Sequence, residues 1–395
     1  MLQKLSNIWL YRLSINKQKK SNGGKTMKKL LALLLTVAML ASLVACGGKD
    51  TGNAGDTGGS TNVGTETPKA DDNKDNKTDK KVTIGYSFPT INNEFWGTAL
   101  GHVEAAAKEL GFDLIYDDCN NDQAEQLNDV ESMISAGIDG LVLGPQDASV
   151  VAGILDACKK NDVKVVIIDR WPGNDLVAGE DYIAFIGPND EEAGYQIAMS
   201  LIDSGVKKMI GIGGYQNTSV AEGRRAGLMK ALEENPDVEL LQYEWAGENW
   251  DDGDEYFRNM YQANPDLEGV WCYNDSLALA SVNVCKELGI IDKVKVGGMD
   301  LLSPAVESMQ AGELWFSTGG HYMQSAFGAV IVFDEINGNK YTGDPVVSLN
   351  LLNVSQDNLD KFVQKYIDNE QPINWKELSK TYNPDAELIF ELSLD

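Results

Sequence analysis

Between residues 82 and 297, short apolar runs alternate with longer amphipathic ones, and this alternation constrains the fold more than any other feature. The runs at 82–88, 113–116, 140–143 and 163–168 are short and apolar, as buried strands are. Between them, 94–110, 123–136 and 149–160 carry helical apolar spacing, and Gly111 and Gly137 end the first two. Apolar strands separated by helices predict a parallel sheet covered on both faces. A second series repeats the theme, with helices at 191–202, 220–234, 254–262 and 277–288 and strands at 209–212, 239–243, 269–273 and 294–297. The fold class expected is α/β, with two similar doubly wound parallel-sheet lobes.

Composition removes several function classes. A formal net charge of −27, with no basic patch after residue 81, would repel a polyphosphate, so nucleic acid is not an expected partner. The two histidines, His102 and His321, and the five cysteines show no metal-ligand spacing, so neither metal nor cofactor is expected. Cys119, Cys158, Cys272 and Cys285 lie in apolar segments and read as small buried hydrophobes. Cys272 and Cys285 could still meet across a strand and its next helix.

Before residue 82 the pattern is different. Lys28-Lys29, an apolar run over 30–45 and Cys46-Gly47-Gly48 have the order of a secretory signal, and the run is short for a membrane span. Leu43-Val44-Ala45-Cys46 resembles a bacterial lipobox, which implies a signal peptide over 27–45 and lipidation of Cys46. Residues 1–26 do not belong to such a signal. Met27 is the expected start, because Gly23-Gly24 can be encoded by a ribosome-binding sequence. The stretch 46–81 is rich in Gly, Thr, Asn, Asp and Lys and reads as a tether. As a flexible coil it would span roughly 30 to 35 Å.

Nearly every strand of the folded region ends in polar or aromatic residues, and strand ends are where open α/β sheets bind ligands. Asn93, Phe95 and Trp96 lie in Ile91-Asn92-Asn93-Glu94-Phe95-Trp96-Gly97. The rings either begin the core face of the next helix or cover the C–H surface of a polyhydroxylated molecule. Asp169-Arg170-Trp171 follows Val165-Val166-Ile167-Ile168 and is either a structural ion pair or a rigid acceptor and donor for hydroxyls. Arg224 falls in the first turns of its helix, near the sheet edge, and Arg225 should face elsewhere. Asn274, Asp275 and Asp300 close apolar strands, where capping the next helix competes with ligand binding, most of all for Asp275. Trp250, in a polar loop, favours a stacking role.

In order and spacing, five motifs resemble the type I periplasmic sugar-binding proteins of the ribose- and galactose-binding branch. They are Asn92-Asn93-Glu94-Phe95-Trp96, Asp169-Arg170, Thr218-Ser219 with Arg224 and Gly227, Tyr273-Asn274-Asp275, and Gly297-Gly298-Met299-Asp300. The resemblance runs from about residue 82 to 365 and implies a non-catalytic, two-lobed receptor, acting as a monomer, that hands a monosaccharide or related polyol to an ABC transporter permease. It implies ligand contacts from Asn93, Phe95, Trp96, Asp169, Arg170, Arg224, Trp250, Asn274, Asp300 and His321. Gly144 stands where ribose binders carry Asn, and Gly320-His321 where they have Gln. The resemblance further implies three crossings between lobes, near Gly187-Pro188-Asn189, Gly320-His321 and Asp344-Pro345. The N-terminal lobe would then be 81–188 plus 321–344 and the C-terminal lobe 189–320 plus 345–395, with a final strand over 346–354.

Three other functions compete with transport. A sensor feeding a chemosensory or signalling receptor would bind the same ligand. A sugar-modifying enzyme has little support: Gly211-Ile212-Gly213-Gly214 has Gln216 at the third glycine position of a dinucleotide turn, and no Walker lysine, GxSxG elbow or His-centred triad is present. A transcriptional regulator of the same fold would lack a reason for the signal sequence.

Overall fold

The computed structural model describes residues 81–368, 373–388 and 392–394. The expected extension, signal peptide, Cys46 and nearly all of the tether lie outside them.

Two six-stranded sheets form the framework. The first contains β1 (Thr83–Phe88), β2 (Asp113–Asp118), β3 (Gly140–Leu143), β4 (Lys164–Ile168), β5 (Ala184–Pro188) and β11 (Val346–Leu349), in the order β11-β5-β4-β3-β1-β2 and all parallel. On one face, α1 (Glu94–Leu110) packs beside α9 (Gln324–Ile336) over Tyr86, Val142 and Val166. On the other, α2 (Gln123–Ala136) and α3 (Ala148–Lys160) cover Leu141, Val165 and Ile167. Asn93 and Asp122 cap α1 and α2, and Gly111 and Gly137 end them at φ +87° and +93°, which side-chain-bearing residues rarely adopt.

The second sheet runs β12-β10-β9-β8-β6-β7. Its strands are β6 (Lys208–Gly213), β7 (Glu239–Trp245), β8 (Gly269–Cys272), β9 (Lys295–Asp300), β10 (Phe316–Gly319) and β12 (Leu352–Ser355), of which only β12 is antiparallel to its neighbour. Around it lie α4 (Asp190–Asp203), α5 (Ser219–Glu234), α6 (Trp250–Ala263), α7 (Asp275–Glu287) and α8 (Ser303–Gln310). Cys119, Cys158, Cys272 and Cys285 are buried and free.

The third crossing and the tail differ from expectation. Val346–Leu349 pairs with β5 in the first sheet, while Leu352–Ser355 pairs with β10 in the second, so the crossing lies at Asn350-Leu351 and not at Asp344-Pro345. Asp344-Pro345 looks like a turn in sequence, yet the Pro345 carbonyl already accepts from Phe185 N (2.8 Å) and so belongs to the first sheet's ladder. Nor does the tail stay on the C-terminal lobe. α10 (Leu359–Val363) and the π-turn at Gln364–Asp368 pack there, with Leu359 and Phe362 in its core. Ile373, Leu378 and α11 (Trp375–Leu378) return to the first lobe, where Trp375 is buried against Phe327. The buried Asp334 carboxylate fixes this return by accepting from Ser379 Oγ (2.6 Å), Lys380 N (2.8 Å), Thr381 N (3.0 Å) and Thr381 Oγ1 (2.7 Å). Leu392 and Leu394 then pack on the second lobe.

Helices α4 and α5 cross in backbone contact. A Cβ on Gly194 would overlap the Arg224 carbonyl, and one on Gly227 would overlap the Glu191 carbonyl. This approach carries Arg224 from α5 over Asp190 at the start of α4. Gly227→Ala gains about 1 kcal/mol of helix propensity. The overlap it forces costs about 1 to 3 kcal/mol or more, so a net destabilisation is expected. A lower urea midpoint for the variant checks this, and an unchanged midpoint would refute the close approach.

Candidate functional site

The carboxyl edges of both sheets converge on one cavity lined by Asn93, Phe95, Trp96, Asp169, Arg170, Arg224, Glu248, Tyr273, Asn274, Asp300 and His321. On the first-lobe side, Asn93 Oδ1 accepts from Phe95 N (3.0 Å), and this cap starts the helix at the sheet edge. Trp96 stacks on Phe88, 6.1 Å between centroids, and its ring lies over Gly144, where a Cβ would come within 2.8 Å of it. The glycine therefore makes room for the indole. Phe95 meets Trp96 edge-on at 5.0 Å and the His321 ring at 4.6 Å.

Asp169 sits in a γ-turn at φ +66°, closed by Arg170 N donating to Ile168 O at 2.8 Å. That strained turn sends the Asp169 carboxylate to Gln324 of its own lobe and the Arg170 guanidinium to Glu248 of the opposite one. Arg170 Nη2 donates to both Glu248 carboxylate oxygens (3.0 and 3.2 Å), and Nη1 to Gln146 O (3.0 Å) and Oε1 (3.2 Å). The pair spans the cleft between lobes, with side chains 5% and 8% exposed. Trp171 N donates to Ser219 Oγ at 3.0 Å, a second contact between lobes. Gln324 Nε2 supports Asp169 Oδ1 at 2.8 Å.

On the second-lobe side, Arg224 Nε donates to Asp190 Oδ1 (2.9 Å) and Nη1 to Tyr273 O (2.9 Å), with the guanidinium 4.3 Å above the Tyr273 ring. Tyr273 OH donates to Glu248 Oε1 at 3.2 Å. Asn274 caps α7 through Leu277 N (3.0 Å) and donates to Glu248 O (2.9 Å). Asp300 ends β9 at φ +132°. His321, at the hinge, brings Nε2 to 3.8 Å from Asp300 Oδ1 and 4.0 Å from Asp169 Oδ1.

Burial sets the protonation states. It pushes the carboxyls of Asp169 and Asp300 up, Asp300 strongly and with Asp275 adding repulsion. It also pulls His321 well below the usual imidazole range, helped by Arg224, so the ring is neutral. Three buried atoms lining or backing the cavity have no hydrogen-bond partner among the described residues: Arg170 Nε, Gln324 Oε1 and His321 Nδ1.

Residues 84–340 match the family model described as a periplasmic binding protein domain. The chain belongs to that family. The ribose import binding protein of Bacillus subtilis is 26% identical over 226 residues, covering 56% of this chain and 68% of that protein. The D-xylose-binding periplasmic protein of Escherichia coli is 25% identical over 241 residues, covering 59% and 71%. An ABC transporter solute binding protein from Mycobacterium smegmatis, solved with bound glycerol, superposes with a TM-score of 0.66 at 25% identity, covering 72% of this chain and 98% of that one. These relatives are binding proteins of transport systems, not enzymes.

In this family member the structure brings together all the expected site residues except Trp250. The Asn249–Asp252 capping box makes Trp250 the first residue of α6 and turns its ring outward, 45% exposed, into an outer hollow beside Asn92, Asn120 and Tyr215. Glu248 takes the inward place. Its signal was the strand-end loop 248–252 itself, in which the indole was the more conspicuous side chain. Tyr273, present in the motif without an assigned role, lies under Arg224. Asn274 is the helix cap, so its amide is largely committed, whereas Asp275 is buried behind it and accepts from Ser317 Oγ (2.8 Å) and Leu302 N (3.1 Å). Trp171 packs edge-on against Phe185 at 5.0 Å and does not narrow the cavity. Arg225 faces away, over Tyr243 and Trp245.

Asp275 and Asp300 titrate as a pair whose carboxyls burial holds high. An unfolded Asp loses its proton near pH 4. Above that pH the folded state retains protons the unfolded chain has released, so unfolding releases them and rising pH favours it. Stability from urea titrations should therefore fall from pH 5 towards neutrality, and Asp275→Asn should flatten that slope. An equal slope in the variant would show that the carboxyl is ionised throughout.

Proposed function

We propose that the chain is an extracytoplasmic, lipid-anchored receptor that binds a monosaccharide or a closely related polyol between its lobes and delivers it to an ABC importer. The observation that carries this reading is one cavity walled by Asn93, Phe95, Trp96, Asp169 and Arg170 from one lobe and by Arg224, Glu248, Tyr273, Asn274 and Asp300 from the other. Such a wall combines ring faces for C–H surface with charged donors and acceptors for hydroxyls. The unpartnered Arg170 Nε, Gln324 Oε1 and His321 Nδ1 are one donor, one acceptor and one more ring nitrogen that ligand hydroxyls would satisfy.

A ligand held by both lobes favours the closed arrangement by its differential affinity, and closure is what a permease would recognise. The relatives described as binding ribose and D-xylose support the ligand class. The motif ending at Cys46 supports the anchor.

Calorimetry of the full chain against pentoses, hexoses, polyols and inositols tests the proposal. One-site binding on the order of micromolar, about −8 kcal/mol, is expected, with the ligand recovered unchanged. Trp96→Ala, Asp169→Ala and Arg224→Ala should each weaken that binding at least about tenfold, or 1.4 kcal/mol. Undiminished affinity in all three would place the ligand elsewhere, and turnover would overturn a receptor role. For the anchor, Cys46→Ser should move the protein from the membrane fraction to the soluble one, and unchanged fractionation would remove lipidation from the account.

A further inference from the structure

The space between the lobes continues outward from the inner cavity. A second hollow of about 390 Å³ lies at the mouth of the cleft, and Asn93 and Glu248 line both. Its size falls within the range of small-molecule sites, roughly 300 to 1,000 Å³. Loops of both lobes build its wall, with Asn92, Asn120 and Asn121 from the first and Tyr215, Asn249 and Trp250 from the second. Parting the lobes to admit a ligand therefore opens both spaces together. Asn120 and Asn121 stand in successive left-handed positions, φ +48° and +62°, which asparagine tolerates, and Asn121 N donates to Pro89 O at 2.9 Å and so ties the loop to the end of β1. The side chains of Asn92, Asn120 and Asn121 are exposed and make no hydrogen bond among the described residues, and the hydroxyl of half-buried Tyr215 makes none either.

Uncommitted amides offer both donors and acceptors, and the Trp250 ring, 45% exposed and held outward by the Asn249–Asp252 capping box, offers an apolar face beside them. Together they suit the O–H and C–H surface of a sugar ring. Among the described residues no lysine, arginine or histidine lines the hollow, while Glu248 and Asp251 do, so an anionic group would be repelled there. Resting on the receptor reading above for the inner ring, we propose that the hollow is a second, outer subsite and that the physiological ligand is a neutral glycoside of at least two sugar rings. One ring occupies the inner cavity, and the ring joined to it lies against Trp250 and the three amides at the mouth. Glu248 and Asn93, which line both spaces, then flank the linkage between the rings.

Calorimetry on the full chain with matched probes tests this: D-glucose, D-galactose and D-xylose, each against a disaccharide that contains it (cellobiose and maltose, lactose, xylobiose) and against its methyl glycoside, whose single added carbon does not fill the hollow. At least one disaccharide should bind about tenfold or more tightly than its component monosaccharide, and the methyl glycoside should show no such gain. Trp250→Ala removes an exposed ring outside both cores, so it should fold, with thermal melting as the check. The variant should lose most of the disaccharide's gain while the monosaccharide's affinity stays within about twofold, and Trp250→Tyr, which keeps a ring face, should retain much of it. Monosaccharides binding as tightly as every disaccharide, a methyl glycoside matching the disaccharide, or a gain that survives Trp250→Ala would overturn the inference and leave the receptor reading standing. If no sugar bound at all, both would fall.

Discussion

A charge removed from water has to be met by an opposite charge or by several hydrogen bonds, and in this protein that requirement joins the two lobes. Arg170 comes from the first sheet and Glu248 from the second, and each is the other's principal partner in a region closed to solvent. Breaking such a pair by removing one member costs about 3 to 5 kcal/mol, because the survivor is left buried and unmatched. Opening the cleft is different, since water can take up both ends at once. The pair therefore fixes the register in which the lobes meet without locking them together. Tyr273, Arg224 and Asp190 extend the same network into the second lobe, so the walls of the cavity and the contact between lobes share a single set of charges.

The backbone is arranged to present those charges. Asp169 and Asp300 both stand at strand ends at positive φ, 66° and 132°, and in both cases a carboxylate rather than a glycine occupies the unfavourable conformation. The cost is tolerated because the flanking strands are central in their sheets and packed on both faces. Gly144 and Gly320 act by subtraction: the first leaves space for Trp96, and the second, at φ +96°, lets Leu392 of the tail lie against the hinge.

Much of this was legible in the sequence, and the failures have physical causes. Helices capped by Asn93 and Asp122 and ended by Gly111 and Gly137 carry local signals that depend on few neighbours, and they appear where the pattern predicts. The polar strand ends pointed to a cleft for the same reason. Trp250 was misread because an exposed ring and a stacking ring look alike until the capping box beside it fixes its direction. Asp344-Pro345 was misread because a proline marks a turn but does not say to which sheet the following strand pairs, and that choice is made by β5, more than 150 residues away. The strands Ala184–Pro188 and Phe316–Gly319 are short and glycine-bearing, too weak to announce themselves without their neighbours.

The returning tail has a consequence for the order in which the molecule can be built. Trp375 fills part of the first lobe's core, Tyr382 OH donates to Leu110 O, and Lys376 N donates to Glu109, contacts between residues 267 or more positions apart. The first lobe thus begins with some of the earliest folded residues yet needs some of the last to be complete. As the chain emerges from the ribosome, the second lobe can gather nearly all its strands while the first still lacks a piece of its interior. Both lobes therefore wait on the end of the chain, the first for Trp375 and the second for β12, Leu359, Phe362, Leu392 and Leu394, so neither is complete until that last stretch is free.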